Sequence, residues 1–439
     1  MARKLFGTDG VRGLAGEFLS AELALALARS ATTLAGAERP QVLIVRDTRE
    51  SGEMLEAAVA AGVSSAGGDA LLGGVLPTPA APLLLGRYSF DLAVVLSASH
   101  NPYADNGVKF FAADGYKLSD ETEREIEAAL ERESGSASSA IGRVRALRGA
   151  TEDYLRELHT RFAALDLSGA DVLLDCANGA TFEVAPEIFR RLGAKIAVIA
   201  DEPDGRNIND GVGSTHVEAL AERVRAGGHD VGFAFDGDGD RVLAVDRTGA
   251  VVDGDELLAL AALHLRGAGR LSGDGVVVTV MTNYGFHSAM ERAGVAVATT
   301  QVGDRYVLEE LRARGWALGG EQSGHIIEMG FNRTGDGIAS ALLTMEALAG
   351  GDLAERHAMA KLPQRLVNVR VRDRDALAHA EGVSEAVRAA DAELSGRGRV
   401  LVRPSGTEPL VRVMVEAPTE AEAGEVCDRL VALVESELG

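Results

Sequence analysis

The sequence predicts an α/β protein: three related α/β domains with mixed, mostly parallel sheets, followed by a smaller C-terminal α+β domain. Three observations carry that prediction. Short apolar, β-branched runs alternate with amphipathic stretches, the signature of βαβ units. The alternation passes through three rounds, and each round ends where an apolar run stops at a polar, loop-like motif: Ser97 to His100, Asp236 to Arg241, and Glu321 to His325. The tail then changes character and carries a loop of its own. The expected divisions are 1–150, 151–253, 254–364 and 365–439.

Taken in order, Ser20 caps a helix that runs to about Leu34, with Glu22 in the first turn where it suits the helix dipole. Gln41 to Val45 reads as a strand, Gly52 to Ala66 as a helix, and strand and helix alternate again from Ala70 to Leu85. Leu92 to Leu96 is a buried strand, because an unbroken apolar run of that length fits a strand covered on both faces. Glu121 to Glu131 is a polar helix, and Glu133 to Ala150, with its serine-rich centre, is linker-like. The second round holds strands at Val172–Leu174, Lys195–Ile199 and Val231–Phe235, with helices at Glu183–Leu192 and His216–Arg225. The third holds helices at Glu256–Leu265, Gly285–Ala293 and Asp304–Arg314, with strands at Val276–Val280, Val295–Thr299 and Trp316–Leu318. In the tail, Val367–Val371, Arg399–Val402 and Leu410–Val415 are strands, and Ala376–Leu394 and Thr419–Leu438 are helices.

Composition narrows the classes of function. A chain of 439 residues exceeds one ordinary core, and 46% hydrophobic with 25% charged residues describes a globular protein. A net charge of −22 argues against a general nucleic-acid binder, which needs a basic surface to neutralise phosphates. It leaves room for a small phosphorylated ligand in a locally basic cleft. Two cysteines, Cys176 and Cys427, give no disulfide framework and point to a reducing compartment. No apolar run is long enough to span a bilayer and no signal-peptide pattern follows Met1, so a cytoplasmic protein without a membrane partner is expected.

Asp236, Asp238 and Asp240 alternate with glycines directly after a buried strand. Three carboxylates that close repel one another unless a cation neutralises them, and an all-oxygen set suits Mg²⁺, Ca²⁺ or Mn²⁺. An EF-hand is excluded, since its sixth and twelfth positions would be Arg241 and Arg247. Ser97, Ser99 and His100 end the Leu92 strand, with Lys109 close behind, and spacing does not choose between the two serines. Glu321, Ser323 and His325 offer an acceptor, a hydroxyl and an imidazole, a mixture that suits sugar hydroxyls. Arg403, Ser405, Gly406 and Thr407, with Arg412 beyond them, offer guanidinium groups, hydroxyls and an approachable backbone, which suits a phosphate. Arg12 lies in a glycine-rich opening segment that lacks the Lys-Ser/Thr of a P-loop and is free to reach a phosphate or a transition state. A serine beside a histidine, a metal site, a sugar-type loop and a phosphate loop are united by phosphoryl transfer through serine.

Five motifs in this order resemble the α-D-phosphohexomutase superfamily over the whole chain, with Gln322 and Gly303 to Val307 closest to its glucosamine branch. They are Phe-Gly-Thr-Asp-Gly-Val-Arg-Gly, Ser-Ala-Ser-His-Asn-Pro with Asp-Asn-Gly-Val-Lys, Asp-Gly-Asp-Gly-Asp-Arg, Gly-Glu-Gln-Ser-Gly-His and Arg-Pro-Ser-Gly-Thr-Glu-Pro. The resemblance implies four domains around a central cleft and a phosphoserine at Ser99. It implies one Mg²⁺ per subunit on Asp236, Asp238, Asp240 and the Ser99 phosphate, with Arg241 beside it. Lys109 is then the candidate general acid/base, with Arg12 and His100 supporting transfer in a division of labour left open. Glu321, Ser323 and His325 face the sugar, and Arg403, Ser405, Gly406, Thr407 and Arg412 hold the non-reacting phosphate. The implied partner is a phosphosugar, and a homodimer is compatible with the resemblance. The implied reaction interconverts glucosamine 6-phosphate and glucosamine 1-phosphate through a hexose bisphosphate, an activity that feeds amino-sugar nucleotide and cell-wall precursor synthesis. Glucose or mannose phosphates on the same scaffold, and a non-catalytic phosphosugar-binding protein, are the alternatives.

Overall fold

A computed structural model describes residues 5–131, 140–405 and 409–439. By contact density the chain divides into two compact units, Met1–Met281 with Ala296–Arg356, and Thr282–Val295 with His357–Gly439.

The larger unit holds three sheets. The first contains β1 (Val11–Leu14), β2 (Gln41–Arg46), β3 (Asp69–Val75), β4 (Leu92–Leu96), β5 (Asp105–Ala112) and β6 (Val144–Ala146), in the order β1-β5-β4-β2-β3-β6. The second contains β7 (Asp171–Asp175), β8 (Lys195–Ile199), β9 (Val231–Phe235), β10 (Val242–Asp246) and β11 (Val251–Val252), ordered β11-β10-β9-β7-β8. The third contains β12 (Gly275–Thr279), β13 (Ala296–Thr300), β14 (Leu318–Gly320) and β15 (Ile326–Glu328), ordered β13-β12-β14-β15.

One construction recurs in all three. A strand buried in the parallel part of the sheet turns back on itself as an antiparallel hairpin: β4 with β5, β9 with β10, and β14 with β15. The turns of those hairpins are the three polar motifs. β4 and β9 are wholly buried along their length, as continuous apolar runs require when helices cover both faces of a parallel sheet. Each motif is therefore held at both ends by sheet hydrogen bonds, at the carboxyl edge where α/β folds bind ligands.

Most predicted elements recur with shifts of one or two residues. Ser20 caps the helix Ala21–Leu34, its hydroxyl accepting from the Leu23 amide at 3.3 Å. The helix Asp304–Arg314 matches its prediction. The predicted strand Trp316–Leu318 lies instead at Leu318–Gly320, because the two glycines that suggested a loop pair with Ile326 and Ile327. The expected linker 133–150 falls partly on residues 132–139, outside those described, and its later part pairs with β3 as β6. The return strands and the helices Ala150–Arg161 and Gly337–Leu348 had no prediction.

In the smaller unit, β16 (Gln364–Arg370), β17 (Arg399–Pro404) and β18 (Leu410–Glu416) form an antiparallel sheet ordered β16-β18-β17. The helices Glu381–Glu393 and Glu420–Leu438 contribute Val383, Ala390, Val426, Leu430 and Val434 to its core. The predicted helix 376–394 is interrupted, a 3₁₀ turn at Asp375–His379 preceding the helix proper. The helix Tyr284–Ala293 belongs to this unit, with the Tyr284 amide donating to Glu416 at 2.7 Å and Asn283 to the Leu362 carbonyl at 3.1 Å. Both cysteines are buried and free.

Candidate active site

The two serines differ in where their hydroxyls are spent. Ser97 Oγ donates to Asp47 at 2.5 Å and accepts from the Ser99 amide at 2.9 Å, so its hydroxyl is consumed inside the loop. Ser99 Oγ reaches out of the first sheet to Asp236 Oδ2 at 2.5 Å, and His100 Nδ1 lies 3.2 Å from Ser99 Oγ. Burial and then the nearby Arg241 and Arg12 push the His100 imidazole down to about 4, leaving it neutral at physiological pH.

Asp236, Asp238 and Asp240 bring one carboxylate oxygen each to within 4.8 Å of one another, all buried. Asp238 Oδ1 and Asp240 Oδ1 are buried without a hydrogen-bond partner. Burial, then Asp240 and Asp238, push the Asp236 carboxyl well above the usual carboxylate range. Left alone, the cluster would take up a proton; a hard divalent cation removes that need by accepting the orphaned oxygens. The donor set therefore fits Mg²⁺ or a cation of the same class. Thr78, from the first domain, supports the loop: its hydroxyl donates to Asp238 Oδ2 at 2.6 Å and its amide to the Asp238 carbonyl at 2.8 Å.

Lys109 sits on β5, 1% exposed, with its ammonium 2.7 Å from Asp238 and 2.9 Å from Asp9. Burial alone would lower its pKa, but the charges of Asp238 and Asp9 outweigh that and hold it above the ordinary lysine range. It is thus a fixed positive charge. Asp9 also pairs with Arg12 and accepts from Lys117 at 2.5 Å; Lys117 pairs in turn with Asp304 of the third domain. Asp9, Lys117 and Asp304 were not singled out as site residues; apart from Asp9 with Arg12, three positions on, their partners lie too far apart in sequence for any local signal to join them.

Arg12, His100, Asp240, Arg241, Glu321, Ser323 and His325 line one cavity of about 440 Å³ together with Asp9, Gly303 and Asp304, a size that suits a small ligand. Glu321 is buried and accepts from the Gly303 amide at 3.0 Å, while Ser323 is exposed. The loop leans on the start of the helix Gly254–Gly267, where the Gly254 amide donates to the Gln322 carbonyl at 3.0 Å. A side chain at Gly254 would meet the Glu321 carbonyl at 2.2 Å, so only glycine allows that approach. His325 is held more firmly than a sugar contact requires: it is 2% exposed, Nε2 accepts from the Gly335 amide at 3.1 Å, and Nδ1 lies 3.6 Å from Asp240.

In the smaller unit, Arg403 and Arg412 are direct cross-strand partners. Like charges placed opposite one another repel, and burial followed by Arg412 holds the Arg403 guanidinium below its usual value. Arg412 Nε is buried without a hydrogen-bond partner, and Ser405 is 3% exposed beside the pair. An anion relieves such an arrangement. Gly406 and Thr407 lie outside the described residues.

Fold and site together define the α-D-phosphohexomutase class, in which related α/β domains bring a serine loop, a carboxylate loop and a polar sugar-type loop to one cavity. The chain belongs to the phosphoglucomutase/phosphomannomutase family. It matches that family's alpha/beta/alpha domain I over residues 3–136, domain II over 152–249, domain III over 253–366 and the C-terminal domain over 366–433. It is 52% identical to a phosphoglucosamine mutase of Moorella thermoacetica, covering 95% of this chain and 96% of that protein. It is 51% identical to a phosphoglucosamine mutase of Saccharopolyspora erythraea, covering 98% and 99%. Among solved structures it shares its fold with a phosphomannomutase described from Thermus thermophilus, at a TM-score of 0.80, 24% identity and 99% coverage of both chains. It also shares its fold with an N-acetylphosphoglucosamine mutase from Aspergillus fumigatus solved with GlcNAc-6P and magnesium, at a TM-score of 0.69 and 19% identity over 99% and 96% of the chains. Among the described residues no helix is long and apolar enough to cross a membrane.

Proposed function

We propose that the chain is a cytoplasmic phosphoglucosamine mutase that interconverts glucosamine 6-phosphate and glucosamine 1-phosphate through a phosphoserine at Ser99. The observation that carries the chemistry is the 2.5 Å contact between Ser99 Oγ and the buried three-aspartate cluster. The choice of amino sugar rests on relatives of about half-identical sequence over the full chain, all bearing that name.

In the forward direction the phosphoserine P–Oγ bond breaks while the free sugar hydroxyl forms a new P–O bond. The sugar hydroxyl's proton passes by way of the neutral His100 to Ser99 Oγ, which gives a bisphosphate and a free serine. The bisphosphate turns round, and Ser99 Oγ takes its other phosphoryl group by the reverse exchange. A divalent cation on Asp236, Asp238 and Asp240, with Mg²⁺ the expected ion, supplies charge neutralisation for the transferring group. Lys109, the general acid/base that the resemblance implies, is held protonated by Asp238 and Asp9, so in this reading it joins Arg12 as positive charge, and the neutral His100, 3.2 Å from Ser99 Oγ, accepts or returns the serine proton. Arg241 keeps the carboxylate loop balanced. Glu321 and Ser323 read sugar hydroxyls in both orientations, with His325 behind them. Arg403, Ser405, Gly406, Thr407 and Arg412 are assigned the non-reacting phosphate.

Comparing kcat/KM for glucosamine 6-phosphate, glucose 1-phosphate and mannose 1-phosphate, with Mg²⁺ and a trace of the matching bisphosphate, tests the reading. A preference for the glucosamine substrate is expected, and a preference for glucose 1-phosphate overturns the choice of sugar. Intact-mass spectrometry should find a phosphate adduct that Ser99→Ala abolishes, with activity falling by about 10⁴-fold or more. A fully active Ser99→Ala protein overturns the mechanism.

A further inference from the structure

Ser99 adopts φ 53, a left-handed conformation that an L-residue holds only when its surroundings impose it. The imposing group is Arg49, which no sequence motif singled out. It is 1% exposed, and all five of its N–H donors are used. Nη2 donates to the carbonyls of Ser99 at 3.0 Å and Asn101 at 2.8 Å. Nη1 donates to Asp105 O at 2.9 Å and to Pro102 O, and Nε donates to Asp47 at 2.9 Å. Asp47 in turn accepts from Ser97 Oγ, the hydroxyl that receives the Ser99 amide. The backbone of Ser99 is thus gripped at both its carbonyl and its amide by one closed circuit: Arg49, Asp47, Ser97, Ser99.

A second grip comes from another domain. Asn209 Nδ2 donates to the same Ser99 carbonyl at 2.9 Å and to Asn101 O at 3.2 Å. Gly237, inside the carboxylate loop, packs so close that a Cβ there would lie 2.6 Å from Ser99 O and 2.7 Å from Asn209 Nδ2. One carbonyl oxygen therefore joins the serine loop, the second domain and the metal loop.

We propose that Arg49 and Asn209 are positioning residues for phosphoryl transfer, setting the direction of Ser99 Oγ toward the carboxylate cluster by fixing the Ser99 carbonyl from two domains. The proposal rests on the mutase reading above. Arg49→Lys keeps the charge opposite Asp47 but has too few donors, on too narrow a head, for four carbonyls. It is expected to lower kcat and the single-turnover rate from phosphorylated enzyme to glucosamine 6-phosphate by about 10²-fold, since misplacing a reacting group by about 1 Å costs that much. KM should stay within about threefold, because sugar binding is untouched. Asn209→Ala is expected to do the same to a smaller degree, about 10-fold, and carries the test should Arg49→Lys fail to fold. Tyr154→Phe, which removes a buried hydrogen bond of 3.1 Å to Asp336, is the control for lost stability alone. Variants that keep kcat within about threefold of the parent, or a Tyr154→Phe protein that loses as much kcat for the same fall in Tm, overturn the proposal. A parent protein with no phosphoenzyme and no mutase turnover would instead overturn the functional reading, before any variant is made.

Discussion

Between β4 and β5 the chain turns through Ser99 at φ 53; between β9 and β10 it turns through Gly239 at φ 70. Both turns connect a buried parallel strand to an antiparallel return strand, and both need a left-handed residue at the corner. In the carboxylate loop the working side chains alternate with the corner, so glycine takes the strained position at little cost. In the serine loop the working side chain sits at the corner itself. Glycine is then excluded, and a buried arginine and an asparagine supply from outside what glycine would have supplied from within. A reagent placed on a strained residue commits the fold to a supporting shell; a reagent placed beside a glycine does not.

The comparison is best broken at the carboxylates. Asp240→Asn removes one charge from the cluster and should lower kcat by about 10²- to 10³-fold, with Ser99 still able to carry phosphate by mass spectrometry. Thr78→Val deletes the hydroxyl that holds Asp238 and leaves all three carboxylates in place. It should weaken Mg²⁺ activation by about 10- to 100-fold, read as a rise in the metal concentration that gives half-maximal rate. If Thr78→Val changes nothing, the carboxylate loop is self-supporting and the contrast with the serine loop deepens.

Backbone substitutions sharpen the contrast by a smaller amount. Ser99→Gly and Ser99→Ala are both expected to be inactive, but the glycine protein should be more stable by about 1 kcal/mol, since it sheds the left-handed penalty. Gly239→Ala should go the other way and lose about 1–3 kcal/mol, because its Cβ would also meet Thr181 at 2.5 Å. Both are measured by denaturant titration, and equal stabilities for the two Ser99 variants would show that the serine corner carries no strain.

The smallest expected effect lies off both loops. Asp336 caps the helix Gly337–Leu348 and accepts from Ala339 at 2.9 Å and from Tyr154 at 3.1 Å. Burial pushes its carboxyl up to about 6. A group whose folded pKa is raised contributes stability that is complete below its unfolded pKa and is lost as pH rises through the folded value. Asp336→Asn keeps a good cap and removes that dependence. Its Tm relative to the parent should rise by about 2–4 °C between pH 5 and pH 8, with kcat unchanged. A flat difference would mean that Asp336 is not buried as a carboxylate.

Apolar period and capping residues were enough to locate the parallel strands and most helices, because those signals are local. β5 escaped because Lys109 breaks its apolar run, and β15 because it is three residues long and follows a glycine-rich motif. The helix Gly337–Leu348 is buried all round, so it shows no amphipathic period to read. At the candidate site, the residues expected to react stand out through unusual local chemistry, carboxylates on glycines and a serine beside a histidine. Their supports did not. Arg49 looks like any arginine until four carbonyls close on it, and, the resemblance aside, local spacing could not tell Ser97 from Ser99, which differ in which hydroxyl Asp47 takes.

The salt bridge from Lys117 to Asp304 spans 187 positions of sequence. During synthesis the serine loop and the carboxylate loop leave the ribosome well before that aspartate does, and domains fold in the order they emerge. Until the third domain is complete, Lys117 has, among the described residues, Asp9 alone as an ion-pair partner, and the cavity lacks its Glu321 wall. The nascent chain can thus assemble its serine and carboxylate loops early and still lack the cavity wall that completes the site, so on the proposed reading reactivity arrives last, with the segment assigned to the sugar.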